Sequence, residues 1–179
     1  MAVASAPQMQ RQTMTPTPGT LVFCHGKDFI GKVIRFGEAL RWKRGARFNH
    51  VAIIDRVVDG VPYVIQAEAR GVTDFRRLDE IAPGGTYELV APPAGVDVEQ
   101  TLFFARQQVG SKYGFGTILA IAIDILTPSW FPSMRPANKR SNSWICSAVV
   151  AESLRFGGWF CHWSDIYLVT PAEVYIAVC

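Results

Sequence analysis

The apolar positions of this chain follow two rhythms, one suited to strands and one to helices. Val51 to Val58 reads as a strand, and Asp59-Gly60 after it is a dipeptide that hairpin turns favour. Val61 to Ala67 supplies the returning strand, which ends in Glu68. Gly19 to Cys24 reads as a short strand introduced by a turn, and Thr86 to Ala91 as a third strand. In Phe29 to Phe36 the apolar positions 29, 30, 33, 34 and 36 fit one helical face better than strand alternation. Asp97 opens a second helical pattern: Gln100 stands three residues on, as in a capping box. Val98, Leu102, Ala105 and Val109 then recur at helical spacing before Gly110. Trp144 to Phe156 predicts a helix stopped by Gly157-Gly158. Pro171 to Val178 fits a short helix or a strand equally well. Strands followed by helices in this arrangement predict an α+β domain, an antiparallel sheet with helices packed on it.

Size and charge narrow the picture. A chain of 179 residues suits one domain with a substantial core. The first 18 residues, rich in Thr, Pro and Gln, are expected to form a flexible tail ahead of a single domain over 19–179. They lack the apolar core of a secretory signal. The most apolar run, Ile118 to Ile123, is broken by Asp124 and ended by Pro128, too short to span a bilayer and suited to a core helix. A cytoplasmic or phage-associated setting is the expectation.

The net charge of +3 makes no case for specific nucleic-acid binding. Its distribution says more. Between Lys27 and Arg47, seven basic residues (Lys27, Lys32, Arg35, Arg41, Lys43, Arg44, Arg47) face only Asp28 and Glu38. A local excess of this kind suits an anionic polymer or a membrane surface as a partner, as well as a plain solvated face.

Four cysteines at wide, irregular spacing (Cys24, Cys146, Cys161, Cys179) form neither a disulfide framework nor a zinc-finger pattern. Cys24-His25 and Cys161-His162 are nominal metal ligands, but adjacent strand residues point to opposite faces. Cys146 is different. It falls near the start of a predicted helix, behind the cap-forming Ser141-Asn142-Ser143, where the backbone dipole favours a thiolate. Its N–H belongs to the unpaired set at a helix start, as an oxyanion donor should. His50, at the mouth of the first long strand, is a candidate general base. Glu68 ends the paired strand at a similar distance from the Asp59-Gly60 turn and is a candidate to hold the imidazole.

Leu21-Val22-Phe23, Phe29 to Arg35, Asn49-His50-Val51-Ala52-Ile53, Ala67-Glu68-Ala69, Lys112-Tyr113-Gly114 and Ile145-Cys146-Ser147 together resemble the circularly permuted branch of the NlpC-type papain-like cysteine hydrolases, the YiiX-like group. The resemblance runs from about Gly19 to Val178, and the order of His50 before Cys146 matches the permuted branch. It implies a permuted papain-like fold with Cys146 as nucleophile, His50 as base and Glu68 as the orienting third member. Tyr113 would then help to hold the oxyanion. One departure is the stretch of residues 115–140 between Tyr113 and Cys146, apolar and then Pro-rich, where unpermuted members are tighter.

The expected function is a cysteine peptidase or amidase that needs no cofactor or metal. It would act on a peptide or acyl-amide through an acyl-enzyme, with cell-wall peptides as the substrate class the resemblance suggests. Two alternatives stand beside it: a lipid-directed thiol acyltransferase or esterase, and a non-catalytic papain-like binding module.

Overall fold

The hairpin forms where the pattern places it. Asp59 and Gly60 adopt φ of 51° and 78°, the left-handed pair that lets two strands close on a two-residue turn. The computed structural model describes residues 14–24, 48–84, 86–117, 143–163 and 166–179. Within them the hairpin strands are β2 (His50–Val58) and β3 (Val61–Glu68). They sit at the centre of an antiparallel sheet with β1 (Leu21–Cys24), β4 (Gly71–Arg77) and β5 (Tyr87–Val90), in the order β4-β3-β2-β1-β5. The described region is α+β, and the helices lying wholly within it are α1 (Leu78–Ile81), α2 (Val98–Gln107), α3 (Cys146–Phe156) and α4 (Pro171–Val178). A single 3-10 turn, Ile166–Leu168, precedes α4.

Several expectations hold and others need correction. Asp97 caps α2, its carboxylate accepting from the Gln100 N–H at 3.0 Å. The undecided C-terminal segment is a helix: Thr170 and Glu173 close a reciprocal capping box, with Pro171 at the first helical position. β4 and α1 are additions. The turn after Glu68 returns the chain as a fourth strand, which the polar residues Thr73, Asp74, Arg76 and Arg77 hide as an edge. The helix predicted from Trp144 begins at Cys146, because Ser143–Trp144 forms a short strand, β7, paired in parallel with β6 (Lys112–Tyr113). The helical pattern at 29–36, the basic run Lys27–Arg47 and the apolar run at 118–126 lie outside the described residues.

Alternation along the strands divides the core. Leu21, Phe23, Val51, Ile53 and Ile65 face α3, where Ala148, Val149 and Leu154 meet them. Val22, Ala52, Ile54 and Val64 point to the opposite face and pack with Leu78 of α1. Among the described residues no helix is long and apolar enough to cross a membrane.

One irregularity anchors α2. The β2–β3 register shifts between Ile54 and Arg56, so Asp55 is the extra residue of a bulge. Its buried carboxylate accepts from Arg106 Nε of α2 at 2.6 Å and from Arg56 Nη1 at 2.5 Å. Truncating one partner of such a pair leaves donors without an acceptor. Asp55→Ala is therefore expected to cost about 1–3 kcal/mol in urea unfolding, with Arg106 half-exposed and able to rehydrate. A loss under about 0.3 kcal/mol would show that the bulge does not tie α2 to the sheet.

Candidate active site

The parallel β6–β7 pair decides where the cysteine stands. Lys112 pairs with Ser143 and Tyr113 with Trp144, which fixes the approach to α3 two residues before the thiol. Trp144 is held from three sides: Nε1 donates to Gln108 Oε1 at 3.0 Å, the ring meets Phe104 edge-on at 6.1 Å, and Tyr167 stacks on it at 5.6 Å. Ile145 then serves as an extended N-cap, so Cys146 is the first residue of α3. An apolar cap supplies no side-chain acceptor, which corrects the expectation that the Ser141-Asn142-Ser143 stretch caps this helix. Ser143 is in the strand, and Ser141 and Asn142 lie outside the described residues. The first-turn N–H groups are left without a side-chain cap and keep their full positive potential beside the sulfur.

The thiol is buried, only 4% exposed, and burial alone would push its pKa up. It is lowered instead. The charge of His50, a hydrogen bond from its ring and hydrogen bonds from the backbone N–H groups of Val51 and Ser147 together outweigh burial. Cys24 is the contrast. It pairs with His50 across β1 and β2, yet burial, with the neighbouring Cys146 adding to it, pushes its thiol up to about 12. Two buried cysteines close to one histidine thus have opposite character, and the helix start belongs to Cys146.

His50 opens β2 and is half-buried. Its Nε2 lies 2.7 Å from Gln66 Oε1. The Gln66 amide nitrogen reaches Glu68 Oε2 at 3.5 Å, and Glu68 Oε1 lies 3.5 Å from Arg76 Nε. A carboxylate only accepts, so it takes the amide nitrogen and leaves the amide oxygen for the imidazole. His50 must then donate from Nε2, which leaves Nδ1 as the acceptor for the thiol proton. The side chain that meets the ring is thus Gln66, and Glu68 stands behind it. The regular β2–β3 ladder ends on this side at Ile53–Ile65, so His50 lies beyond strict pairing and leans toward Gln66, its diagonal neighbour.

Tyr113 occupies β6 beside Trp144 and is half-buried, its ring edge-on to Phe115 at 4.9 Å. β6 is tied to the sheet: the Val72 N–H donates to the Ser111 carbonyl at 2.9 Å, and the Gly110 N–H to the Val72 carbonyl at 2.9 Å. The structure thus brings Cys146, His50, Gln66 and Glu68 into one chain of contacts, with Tyr113 on the strand next to the cysteine's own.

No protein-family model matches the chain, and no curated protein matches it. Among solved structures it is similar to the metalloprotein YiiX from Escherichia coli O157:H7, designated DUF1105. The two share 19% identity at a TM-score of 0.55, over 80% of this chain and 67% of that one. At this identity the likeness establishes a shared YiiX-like fold.

Proposed function

We propose that this chain is a cysteine hydrolase that cleaves an amide bond, built on a circularly permuted papain-like arrangement. The observation that carries the reading is a thiol at the first residue of α3 whose pKa is lowered by His50 in spite of full burial. A structural cysteine in such a place has its pKa raised, as Cys24 does. Combined burial, a specific charge partner and a helix start are the features of an activated nucleophile.

The proposed steps use these groups. His50 Nδ1 takes the proton of Cys146, and the thiolate attacks the substrate carbonyl carbon. The Cys146 N–H and the Tyr113 hydroxyl hold the oxyanion of the tetrahedral adduct. The C–N bond then breaks, and the imidazolium delivers its proton to the leaving amine. Water, deprotonated by the same nitrogen, attacks the thioester. The proton returns to the sulfur as the acid leaves. Gln66 replaces a carboxylate as the group that orients the imidazole, a role that a neutral amide fills in papain-like proteases.

YiiX is described as a metalloprotein. Among the described residues of this chain no three His, Cys, Asp or Glu side chains gather as a metal's ligands. His25 of the Cys24-His25 pair lies outside the described residues.

Cell-wall peptides are the proposed substrate class. Wild type and Cys146→Ala tested on muropeptides, isopeptides and acyl lipids distinguish the readings. Release of a free amine by wild type alone, with a transient acyl mass on Cys146, supports the amidase. Turnover confined to acyl lipids moves the assignment to an acyltransferase or esterase. Cleavage that survives the substitution removes Cys146 from the mechanism.

A further inference from the structure

The site just described leaves two charges without a role. Glu68 has a carboxylate oxygen, Oε1, that is buried and accepts no hydrogen bond, although Arg76 Nε lies 3.5 Å away. Its other oxygen reaches the Gln66 amide. A carboxylate in a partly buried position with so little hydrogen bonding is costly if its only task is to hold a strand end. Its place in the contact chain supplies another task.

We propose that Glu68 and Arg76 are positioning residues that set the charge balance of the Cys146–His50 pair through the Gln66 amide. The inference rests on the reading of Cys146 and His50 as a nucleophile and its base. Gln66 is neutral, so by itself it orients the imidazole and contributes no charge to an imidazolium. Glu68, one contact further back, contributes that charge and also dictates which end of the amide faces the ring. The aligned dipoles of the amide carry the field toward Nε2. Arg76, on β4, partly neutralises Glu68 and so opposes it. Were the amide free to turn over, its nitrogen would meet Nε2, and the imidazole would have to carry its proton on Nδ1, where it cannot accept from the thiol.

Among the described residues, the groups facing His50 are few. Cys24 faces it from β1, Gln66 and Glu68 from β3, and Cys146 from α3. Cys24 stays protonated across the working range, its thiol pushed up to about 12. Among the described residues the Glu68–Arg76 couple is the charged group that reaches the pair through Gln66.

The signs give the test. Removing negative charge behind the imidazole disfavours imidazolium–thiolate relative to the neutral pair; removing positive charge there favours it. The rate of Cys146 alkylation by iodoacetamide, resolved by site with mass spectrometry, is measured from pH 5 to 9.5 on the full chain. At pH 6, Glu68→Gln is expected to slow it about two- to fivefold, the scale of a screened charge. Arg76→Gln is expected to speed it by a similar factor, and Glu68→Asp to restore most of the loss. At the alkaline end all variants should converge, because the thiol is ionised in each. Circular dichroism confirms that each variant is folded.

A merely structural role would slow the reaction equally at every pH and would give no opposite sign for Arg76. That pattern, or a Glu68→Gln profile that overlays wild type, overturns the inference while leaving the Cys146–His50 pair intact. A wild-type profile centred on the ordinary thiol value near 8.5 overturns the pair itself, and this inference with it.

Discussion

Cys146→Ala is expected to lower amide hydrolysis by about ten-thousand-fold or more, with the fold preserved. In the proposed mechanism the substitution removes the atom that forms the covalent bond, and no other described thiol shares its position at a helix start. Cys24 is held protonated, and neither Cys161 nor Cys179 stands at the start of a helix. The stability cost should be small, about 1 kcal/mol, because only one buried heavy atom is lost. Substrate affinity should survive, since Tyr113 and the α3 N–H groups are untouched. His50→Ala should fall to a similar floor, and the double variant should fall no further, because nucleophile and base act as one unit. Matched Tm values with additive losses in the double variant would contradict that unit.

The second large effect lies away from the chemistry. Gly71 begins β4 with φ of 112°, where a side chain is strained, and a Cβ there would meet the backbone carbonyl oxygen of Ser111. That carbonyl cannot step aside cheaply, for it accepts the Val72 N–H that ties β6 to the sheet. Gly71→Ala is expected to cost about 3 kcal/mol or more, combining strain with a displaced backbone contact. Because β6 carries Tyr113 and pairs with the strand before Cys146, the surviving folded fraction should also lose activity. Gly60→Ala is the control. Gly60 also has positive φ, 78°, but a Cβ there meets nothing within 4 Å. Its cost should be strain alone, about 1 kcal/mol. Equal costs at the two positions would mean that the Ser111 approach is unimportant.

The parts of this architecture that were legible in the sequence are those fixed by local rules. A two-residue turn between apolar runs needed only Asp59-Gly60, and the cap at Asp97 follows from carboxylate chemistry within one turn. β4 was not legible because its alternation is polar on an edge, where little apolar signal remains. The start of α3 was misplaced because Trp144 suits a helix by itself. Its strand conformation comes from pairing with Tyr113, thirty-one positions earlier, and no local pattern encodes that partner.

At the site, Cys146 and His50 were visible as residue types in telling positions. The side chain that meets the His50 ring was not, although a signal existed. Gln66 is a polar residue, 3% exposed, between Ile65 and Ala67 in an otherwise apolar strand. A buried polar side chain needs a partner, and that requirement points to the ring more firmly than distance from the turn does. Counting from Asp59-Gly60 favoured Glu68, and the Ile53–Ile65 register carried on does put Glu68 opposite His50, but it is Gln66, on the diagonal, that meets the ring. Only the folded arrangement shows the amide in front of the carboxylate.

The central claim is that His50 makes a thiolate of a buried Cys146, and the pH dependence of that thiolate in wild type and His50→Ala tests it most directly. Ionisation is followed by site-resolved alkylation. In wild type the thiolate should persist below the ordinary thiol value near 8.5 and disappear only as pH falls through the lowered pKa. In His50→Ala, burial acts without the opposing charge and hydrogen bond, so the midpoint should move above 8.5. A wild-type midpoint at or above 8.5, or a midpoint that His50→Ala leaves in place, would contradict the account.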